Sequence, residues 1–270
     1  VVDGIEGDIS VDYQFTGSDN TLTGSWSNFE DNASGIAGYE VAVNGGTTVG
    51  WSWVGDVSSK TLTGLDLSHG SVYNYSVRAT DGAGNVSEVS SSNGIYVDLQ
   101  PPVSSVNMEQ LYYNQASWDS EIRIFGTASD GDGESGLLSV EISVEDTVAG
   151  SYFNGSAWQS EVFWILLEGT EDWSYELTSN HLTDGNGYVV RSRAKDFVLN
   201  LQSEYGISRF AYDTSDPVTS FSISNDFYNY DGWNSQTPVQ GTAADNSSGI
   251  EKVELAIVDE SDGGNYFQGA

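Results

Sequence analysis

Apolar residues along this chain occur in short runs where they alternate with polar residues, and turns rich in glycine, serine, asparagine and aspartate separate the runs. Alternation of this kind places successive side chains on opposite faces of the backbone and predicts β-strands. No long segment shows the 3.6-residue period of an amphipathic helix. The pattern therefore predicts an all-β chain that is built from short strands.

One unit of this pattern is written three times, as an acidic, glycine- and serine-rich turn followed by a strand. In each strand a glutamate alternates with apolar residues, so the glutamate is predicted to face outward and the apolar residues inward. The apolar positions are Tyr39/Val41/Val43, Val140/Ile142/Val144 and Val253/Leu255/Ile257. The repetition predicts tandem modules.

Seven strands are predicted within residues 10–98 and seven more within the next unit, and this density is typical of a Greek-key sandwich. The first residues, Val1-Val2-Asp3, are similar to Tyr96-Val97-Asp98, where a repeat ends, and prolines mark the later junctions. We therefore expect four segments: 1–9 as the tail of a preceding repeat, 10–98 and 99–213 as two β-sandwiches, and 214–270 as the N-terminal part of a third. Half a sandwich exposes its apolar face, so we expect the remainder to lie outside this chain or to come from a neighbour by strand donation.

The corner before the sixth strand carries a recognisable motif. Leu67-Ser68-His69-Gly70-Ser71-Val72-Tyr73 resembles the Leu-x-Pro-Gly-x-x-Tyr corner of fibronectin type III modules, with His69 where proline is usual. The second unit keeps this spacing from Leu182 to Tyr188, but it is longer and resembles bacterial immunoglobulin-like repeats. These resemblances imply tandem Greek-key β-sandwiches in a linear array, as found in large extracellular or cell-surface proteins. They also imply that the corner tyrosine returns its hydroxyl group to the backbone.

The third and sixth strands are neighbours in a sandwich of this kind. Arg78 should therefore lie across from Glu40, and Arg193 across from Glu141. A surface ion pair of this type contributes only about 0 to 1 kcal/mol to stability.

The charge of the chain restricts its partners. Forty acidic residues against 8 basic ones give a formal net charge of −32, which disfavours nucleic acid and anionic membranes as partners. There is no cysteine, so disulfides and thiol chemistry are excluded, and no apolar run approaches the ~20 residues that span a bilayer. With 38% hydrophobic residues and eight tryptophans, the chain can form cores.

Carboxylates are expected to meet at the junctions between modules. The chain enters each sandwich at the pole that carries the second-to-third and sixth-to-seventh strand loops, so Asp98 should approach Asp130, Asp132, Glu134 and Asp196. Ca²⁺ accepts six to eight oxygen ligands in flexible geometry and would relieve the repulsion between such groups. The candidate calcium ligands at the three poles are Asp31, Asp81, Asp98, Asp130, Asp132, Asp196, Asp213, Asp216 and Asp245, with Asp3 and Asp8 approaching the first pole. The alternative is that these residues only cap their own turns.

Other chemistry has little support in the sequence. His69 and His181 lie at similar corners without a serine or cysteine nucleophile beside them, which favours surface histidines over catalysis. The aromatic segment from Tyr152 to Trp173 is either a sugar-stacking platform or, with better support, part of the core.

The sequence therefore predicts a non-enzymatic structural segment of an extracellular or cell-surface protein, such as a stalk, an adhesin shaft or a filament subunit, stiffened by Ca²⁺. Its expected partners are neighbouring repeats of the same protein, in a homo-oligomeric filament or a surface assembly. Two alternatives stay open: a module that binds a glycan or a surface protein, and a non-catalytic spacer of a secreted polysaccharide-degrading enzyme.

Overall fold

The computed structural model describes residues 1–4, 10–121, 124–167, 171–224, 227–235, 239–262 and 264–266. Strands dominate these ranges, and none of their helices is long and apolar enough to span a membrane. The predicted all-β fold class is confirmed, with two β-sandwiches followed by the smaller sheets of a third unit.

The described residues of the first sandwich form ten strands. They are β1 Val2–Asp3, β2 Phe15–Thr16, β3 Thr21–Ser25, β4 Ile36–Val43, β5 Val49–Gly55, β6 Ser59–Thr63, β7 Val72–Tyr73, β8 Tyr75–Asp81, β9 Ser90–Ser91 and β10 Ile95–Val97, with a 3₁₀ turn at Asn44–Gly46. The two main sheets have the orders β1-β3-β6 and β5-β4-β8-β9, and a small sheet has the order β2-β10-β7.

The elements of the second sandwich are β11 Val103–Asn107, β12 Tyr112–Tyr113, α1 Gln115–Asp119, β13 Ile124–Ser129, β14 Leu137–Asp146, β15 Ser151–Phe153, β16 Trp158–Gln159, β17 Ile165–Leu166, β18 Asp172–Tyr175, a 3₁₀ turn at Ser179–His181, β19 Gly187–Asp196 and β20 Gly206–Tyr212. A three-stranded sheet, β11-β13-β18, packs against a larger one of order β12-β20-β19-β14-β15-β16, in which β17 also pairs with β14.

The third unit repeats the opening of the second. β21 Val218–Ile223 pairs with β22 Val239–Ala244, α2 Tyr230–Ser235 lies between them in the chain, and β23 Val258–Asp259 pairs with β24 Asn265–Tyr266 around a 3₁₀ turn at Glu260–Asp262.

Each sandwich has its own buried core. Trp26, Tyr75 and Val77 lie in the first core, and Ile142, Trp173 and Tyr188 lie in the second. The alternation seen in the sequence explains this, because the inward residues of β4 and β14 are buried while the glutamates between them reach the surface.

The predicted corner and cross-strand contacts are confirmed. The Tyr73 hydroxyl oxygen accepts a hydrogen bond from the Ser68 backbone N–H at 3.1 Å, and the Tyr188 hydroxyl does so from Thr183 at 2.8 Å. Arg78 is paired across the strands with Glu40, and Arg193 with Glu141. The corner motif therefore forms the same local structure in both modules.

The structure corrects the assignment of the first residues. Val2 and Asp3 pair with Ser25 and Gly24 of β3, so they form an edge strand of the first sandwich and not the tail of a preceding repeat. Their similarity to Val97-Asp98 covers too few residues to fix a strand's partner.

The third unit requires a second correction. Val253, Leu255 and Ile257 were predicted to face inward, but their side chains are exposed and residues 252–257 form no strand. In the second sandwich the equivalent row of β14 faces the sheet β11-β13-β18 and is flanked by β19 and β20 in its own sheet. The described part of the third unit has counterparts of β11 and β13 but not of β18 to β20, and the row is exposed there.

The short helices were not predicted. α1 begins after Asn114, whose side chain accepts a hydrogen bond from Ser117 N–H, while the Ser117 hydroxyl accepts one from Asn114 N–H. This helix delivers Trp118 into the second core, where its indole N–H donates to the Leu177 carbonyl at 2.6 Å.

Candidate functional site

Asp98 is the first residue after β10, and its side chain is completely buried. The backbone N–H of Asp98 donates to Thr16 of the first sandwich. Its carboxylate reaches the second sandwich, because Oδ2 accepts a hydrogen bond from Ser135 N–H at 2.9 Å, and Oδ1 accepts one from Gln100 N–H at 3.1 Å. Asp98 therefore joins the end of one module to a loop of the next.

Asp196 ends β19 and is also completely buried. Asn200 closes the loop that follows: its backbone N–H donates to Asp196 Oδ1 and its side-chain amide to Oδ2, both at 2.8 Å. The same amide donates to the Asp98 carbonyl oxygen at 3.0 Å. This loop therefore fixes Asp196 beside the last residue of the first module.

Asp130 comes from the loop between β13 and β14. Its Oδ2 accepts a hydrogen bond from Gly136 N–H at 2.7 Å, but its Oδ1 is buried without a hydrogen-bond partner among the described residues. Burial raises the pKa of Asp130 to about 6, with further contributions from Glu134 and Asp98. Burial also raises the pKa of Asp196 above its ordinary value. The site thus carries an excess of negative charge that the protein donors do not neutralise.

Two overlapping groups of ligand atoms form at this junction. One oxygen each of Asp98, Asp130 and Asp196 lie within 4.8 Å of one another, and Asp98 and Glu134 form a similar group with His69. In the described ranges these are the sets of three or more histidine and carboxylate side chains that could hold a metal ion. The unpartnered Asp130 oxygen and the all-oxygen character of the first group fit a hard cation such as Ca²⁺.

His69 is a positioning residue at this junction. Its Nδ1 accepts a hydrogen bond from Leu99 N–H at 3.1 Å, and its Nε2 lies 3.4 Å from Glu134 Oε1. The His69 side chain therefore connects the corner of the first module to Leu99, in the linker between the modules, and to the loop of the second module that contains Glu134.

The second junction repeats this hydrogen-bond pattern. Asp213 is buried; its Oδ1 accepts from Ser215 N–H and its Oδ2 from Ser248 N–H at 3.0 Å, as Asp98 does with Gln100 and Ser135. Asp184 replaces His69, since it accepts from Thr214 N–H at 2.6 Å. Asp245 lies in the loop that Asp213 contacts, but it accepts from Ser247 and Gly249 of its own turn.

The remaining predicted ligands lie outside these groups. Asp132 and Asp216 are exposed. Asp31 and Asp81 each accept several hydrogen bonds from their own turns, and bonds from Ser34 and from Asn85 lower the pKa of Asp31 and of Asp81 respectively. These contacts are those of turn-capping residues, so the role of these aspartates as calcium ligands stays a prediction without added support.

Asp3 does not approach Asp31 and Asp81. It is buried in the first sandwich, where neither carboxylate oxygen has a hydrogen-bond partner among the described residues, and burial raises its pKa to about 6. Asp8 lies outside the described residues.

The aromatic segment belongs mainly to the core, as the better-supported alternative predicted. Phe153 and Trp173 are buried, and the Trp158 indole N–H donates to the His181 carbonyl at 2.8 Å. The rings of His181 and Phe153 also lie against each other. Trp164 differs, because it lies on the outer face of the sheet over the Arg193 guanidinium, 4.0 Å from the centre of its ring.

Sequence reasoning missed the residues that hold the junction. Asn200 and Ser135 bind Asp98, and none of the residues in this set was proposed as part of a site. His69 and Asp184 bind the backbone N–H of the residue that follows each junction aspartate, Leu99 and Thr214. A usable signal existed, because His69 and Asp184 occupy the same place in the two corner motifs and Asn85 and Asn200 the same place in the two later loops.

The sheets and the corner define tandem β-sandwich modules of the fibronectin type III-like and immunoglobulin-like kind. The chain is similar to Exoglucanase B of Cellulomonas fimi, with 29% identity over 220 residues, and to Endoglucanase B of Cellulomonas fimi, with 38% identity over 104 residues. These matches cover 80% and 38% of this chain but only 18% and 9% of the two relatives.

Among solved structures, the fibronectin(III)-like modules of Clostridium thermocellum CbhA match with a TM-score of 0.39 and 16% identity, over 77% of this chain and 93% of that one. No protein-family model matches the chain.

Proposed function

We propose that this chain is a non-enzymatic structural segment of an extracellular or cell-surface protein, in which successive β-sandwiches are held end to end by bound Ca²⁺. The observation that carries the proposal is the buried Asp98, which belongs to the first module by its backbone and to the second by its carboxylate. A cation at this place would fix the angle between the two modules.

The ligands that would hold the ion are Asp98, Asp130 and Asp196, each with an oxygen within 4.8 Å of the others. Ca²⁺ would supply positive charge to a site whose burial already works against ionised carboxylates. Glu134 lies beside Asp98 and adds to the negative charge. The second junction lacks a buried, unpartnered carboxylate oxygen among its described residues, so the proposal concerns the first junction alone.

Calorimetry of the 270-residue chain with Ca²⁺ and with chelator tests the proposal. We expect Ca²⁺ to raise the melting temperature, because an ion that binds only the folded state at 100 times its Kd adds about 2.7 kcal/mol of stability. Equilibrium dialysis with radioactive Ca²⁺ should detect binding. The absence of both effects would rule out the calcium junction.

Asp130→Asn is the sharpest variant. Without Ca²⁺ it should be at least as stable as the original chain, because it removes a poorly compensated charge, but Ca²⁺ should no longer raise its melting temperature. Asp31→Asn is the matched control, since Asp31 is bound by its own turn; it should keep the full calcium effect. Loss of that effect in Asp31→Asn and not in Asp130→Asn would contradict the assignment.

The two relatives favour one alternative context. Both are named as glucanases, and this chain matches only a small part of each. A non-catalytic spacer in a secreted polysaccharide-degrading enzyme is therefore the second candidate, and the sequence that flanks this segment in its gene tests it. A neighbouring hydrolase domain would support the spacer, whereas further repeats or a surface-attachment region would support the stalk.

A further inference from the structure

The outer face of the first sandwich carries two tryptophans on its edge strand. In the sheet β5-β4-β8-β9, the inward residues of β4 are buried in the core, and Glu40 lies on the opposite, outer face. Trp53 is the cross-strand neighbour of Glu40, and Trp51 lies on the same face because its ring covers the guanidinium of Arg78.

Trp53 is held over a glycine and left open to solvent. A Cβ atom on Gly38 would come within 2.6 Å of Trp53 Cζ2, so the benzo ring of Trp53 occupies the space where a side chain would otherwise stand. The other side of the ring faces water: Trp53 is 56% exposed, whereas Trp26, Trp118 and Trp173 in the two cores are 3% exposed or less. The fold therefore holds the Trp53 ring in place and leaves one side of it open to a ligand.

The charged side chains of Arg78 and Glu40 lie beside these rings in fixed positions. Arg78 Nε donates to Glu40 Oε2 at 2.8 Å, and the Arg78 guanidinium lies 4.4 Å from the centre of the Trp51 ring. The guanidinium retains further N–H donors and the carboxylate further acceptor sites. The face therefore combines aromatic surfaces with adjacent donors and acceptors.

We propose that Trp51, Trp53, Glu40 and Arg78 form a binding platform for a neutral, β-linked polysaccharide. A pyranose ring with equatorial hydroxyl groups presents C–H groups on its flat side, and these pack on the electron-rich face of an indole. Its hydroxyl groups both donate and accept, which matches an Arg–Glu pair better than either charge alone. An extended, β-linked chain fits an open platform because successive rings stay in reach of the flat face.

The charges argue against other occupants. Acidic polysaccharides and nucleic acid are repelled by a chain with a net charge of −32. An apolar protein surface would bury the Arg78–Glu40 pair without hydrogen-bond partners for its free donors and acceptors, at a cost in free energy. A neutral polyhydroxy ligand satisfies both the rings and the charges.

The second sandwich shows which part of this arrangement is specific to the first. There Arg193 again pairs with its cross-strand glutamate, Glu141, and lies under Trp164, so the Arg–Glu–Trp group is repeated. The position that faces Glu141 holds Leu166 instead of a tryptophan. The Arg–Glu–Trp group is therefore common to the outer faces of both modules. Trp53 is the residue that distinguishes the outer face of the first module as a binding platform.

Affinity electrophoresis tests the platform with the 270-residue chain in gels that contain hydroxyethyl cellulose, a soluble β-1,3-glucan or dextran. We expect at least one β-linked glucan, and not the α-linked dextran, to retard the chain. Trp53→Ala should raise the apparent Kd at least tenfold, and Trp53→Phe should retain part of the binding. Thermal melting of both variants checks that the first sandwich stays folded.

Trp233→Ala is the matched control, because Trp233 is 44% exposed but lies in the third unit. It should bind as the original chain does. The proposal is overturned if no β-linked glucan retards the chain, if Trp53→Ala binds normally, or if Trp233→Ala weakens binding equally. It is also overturned if sedimentation shows a dimer that Trp53→Ala dissociates, since the face would then be an interface between copies. None of these outcomes depends on Ca²⁺, so they leave the proposed junction untouched.

Discussion

Asn200 donates a hydrogen bond from its side-chain amide to the backbone carbonyl oxygen of Asp98, 102 residues earlier in the chain and 3.0 Å away. The same amide donates to Asp196 Oδ2 and, at 3.2 Å, to the Gln100 carbonyl oxygen. The Asn200 side chain therefore joins a loop of the second sandwich to the linker between the two modules, at residues 98 and 100.

Asn200→Ala should destabilise the second sandwich. The substitution removes the side-chain bonds to Asp98, Gln100 and Asp196 and leaves a buried carboxylate with fewer donors, at a cost of about 1–3 kcal/mol. Urea unfolding followed by tryptophan fluorescence measures the loss.

Asn85→Ala provides a matched control in the first sandwich. Asn85 makes the same bonds to Asp81 that Asn200 makes to Asp196, but within the described residues its side chain makes no hydrogen bond to another module. It should cost less than Asn200→Ala. Equal costs would mean that the linker contact contributes nothing beyond the turn.

The two corner tyrosines should respond alike to loss of their hydroxyl groups. Tyr73→Phe and Tyr188→Phe each leave one backbone N–H, that of Ser68 or Thr183, without its acceptor. We expect a loss of about 1 kcal/mol in each module, seen as a lower midpoint for the corresponding transition in urea. Tyr205→Phe is the control, because Tyr205 is exposed and its hydroxyl holds no corner. A loss in only one module would mean that the shared motif does not serve the same role.

Much of the fold follows from local patterns. The period-two alternation predicted β4, β14 and β19 because one face of each strand packs on the core. The corners were expected from the resemblance of residues 67–73 and 182–188 to the fibronectin type III corner, and both tyrosine hydroxyl groups return to the backbone there. The helix α1 escaped prediction because five residues are too few to show a helical period.

The site was predictable only in part. The topology of the sandwich predicted that Asp98 would approach Asp130 and Asp196, and the structure brings them together. It could not predict that Asn200 and His69 hold the linker, because contacts between modules depend on how two folded units meet and not on a local pattern. The same limit applies to Val253 and Leu255, whose alternation shows which face is apolar but not whether anything covers it.

Asp3 should make the first sandwich less stable as the pH rises. Burial raises its pKa to about 6, above the value of about 4 expected in the unfolded chain, so the folded state favours the protonated carboxyl group. The associated stability is present below about pH 4 and is lost as the pH rises through 6. Asp3→Asn should therefore raise the melting temperature at pH 7.5 and leave it nearly unchanged at pH 4, as measured by calorimetry.

Asp31→Asn should show the opposite dependence. Hydrogen bonds from Ser34 and Gly35 lower the pKa of Asp31, so its carboxylate stabilises the turn above the ordinary aspartate pKa and this contribution is lost at lower pH. The variant should melt earlier than the original chain at neutral pH and together with it near pH 2. If both variants followed one trend, overall charge and not local environment would control the pH dependence.

Gly24 should be intolerant of even a methyl group. It lies on β3 beneath the ring of Tyr75, and a Cβ atom there would overlap the Tyr75 ring carbons. Tyr75 cannot move aside easily, because it is buried, stacked on Trp26, and bonded through its hydroxyl to the Lys60 carbonyl at 2.8 Å. Gly24→Ala should therefore cost about 1–3 kcal/mol in the first sandwich. Gly50→Ala is the control, since a Cβ atom on Gly50 would meet nothing within 4 Å. A similar stability for the two variants in urea would show that Tyr75 is packed loosely enough to yield.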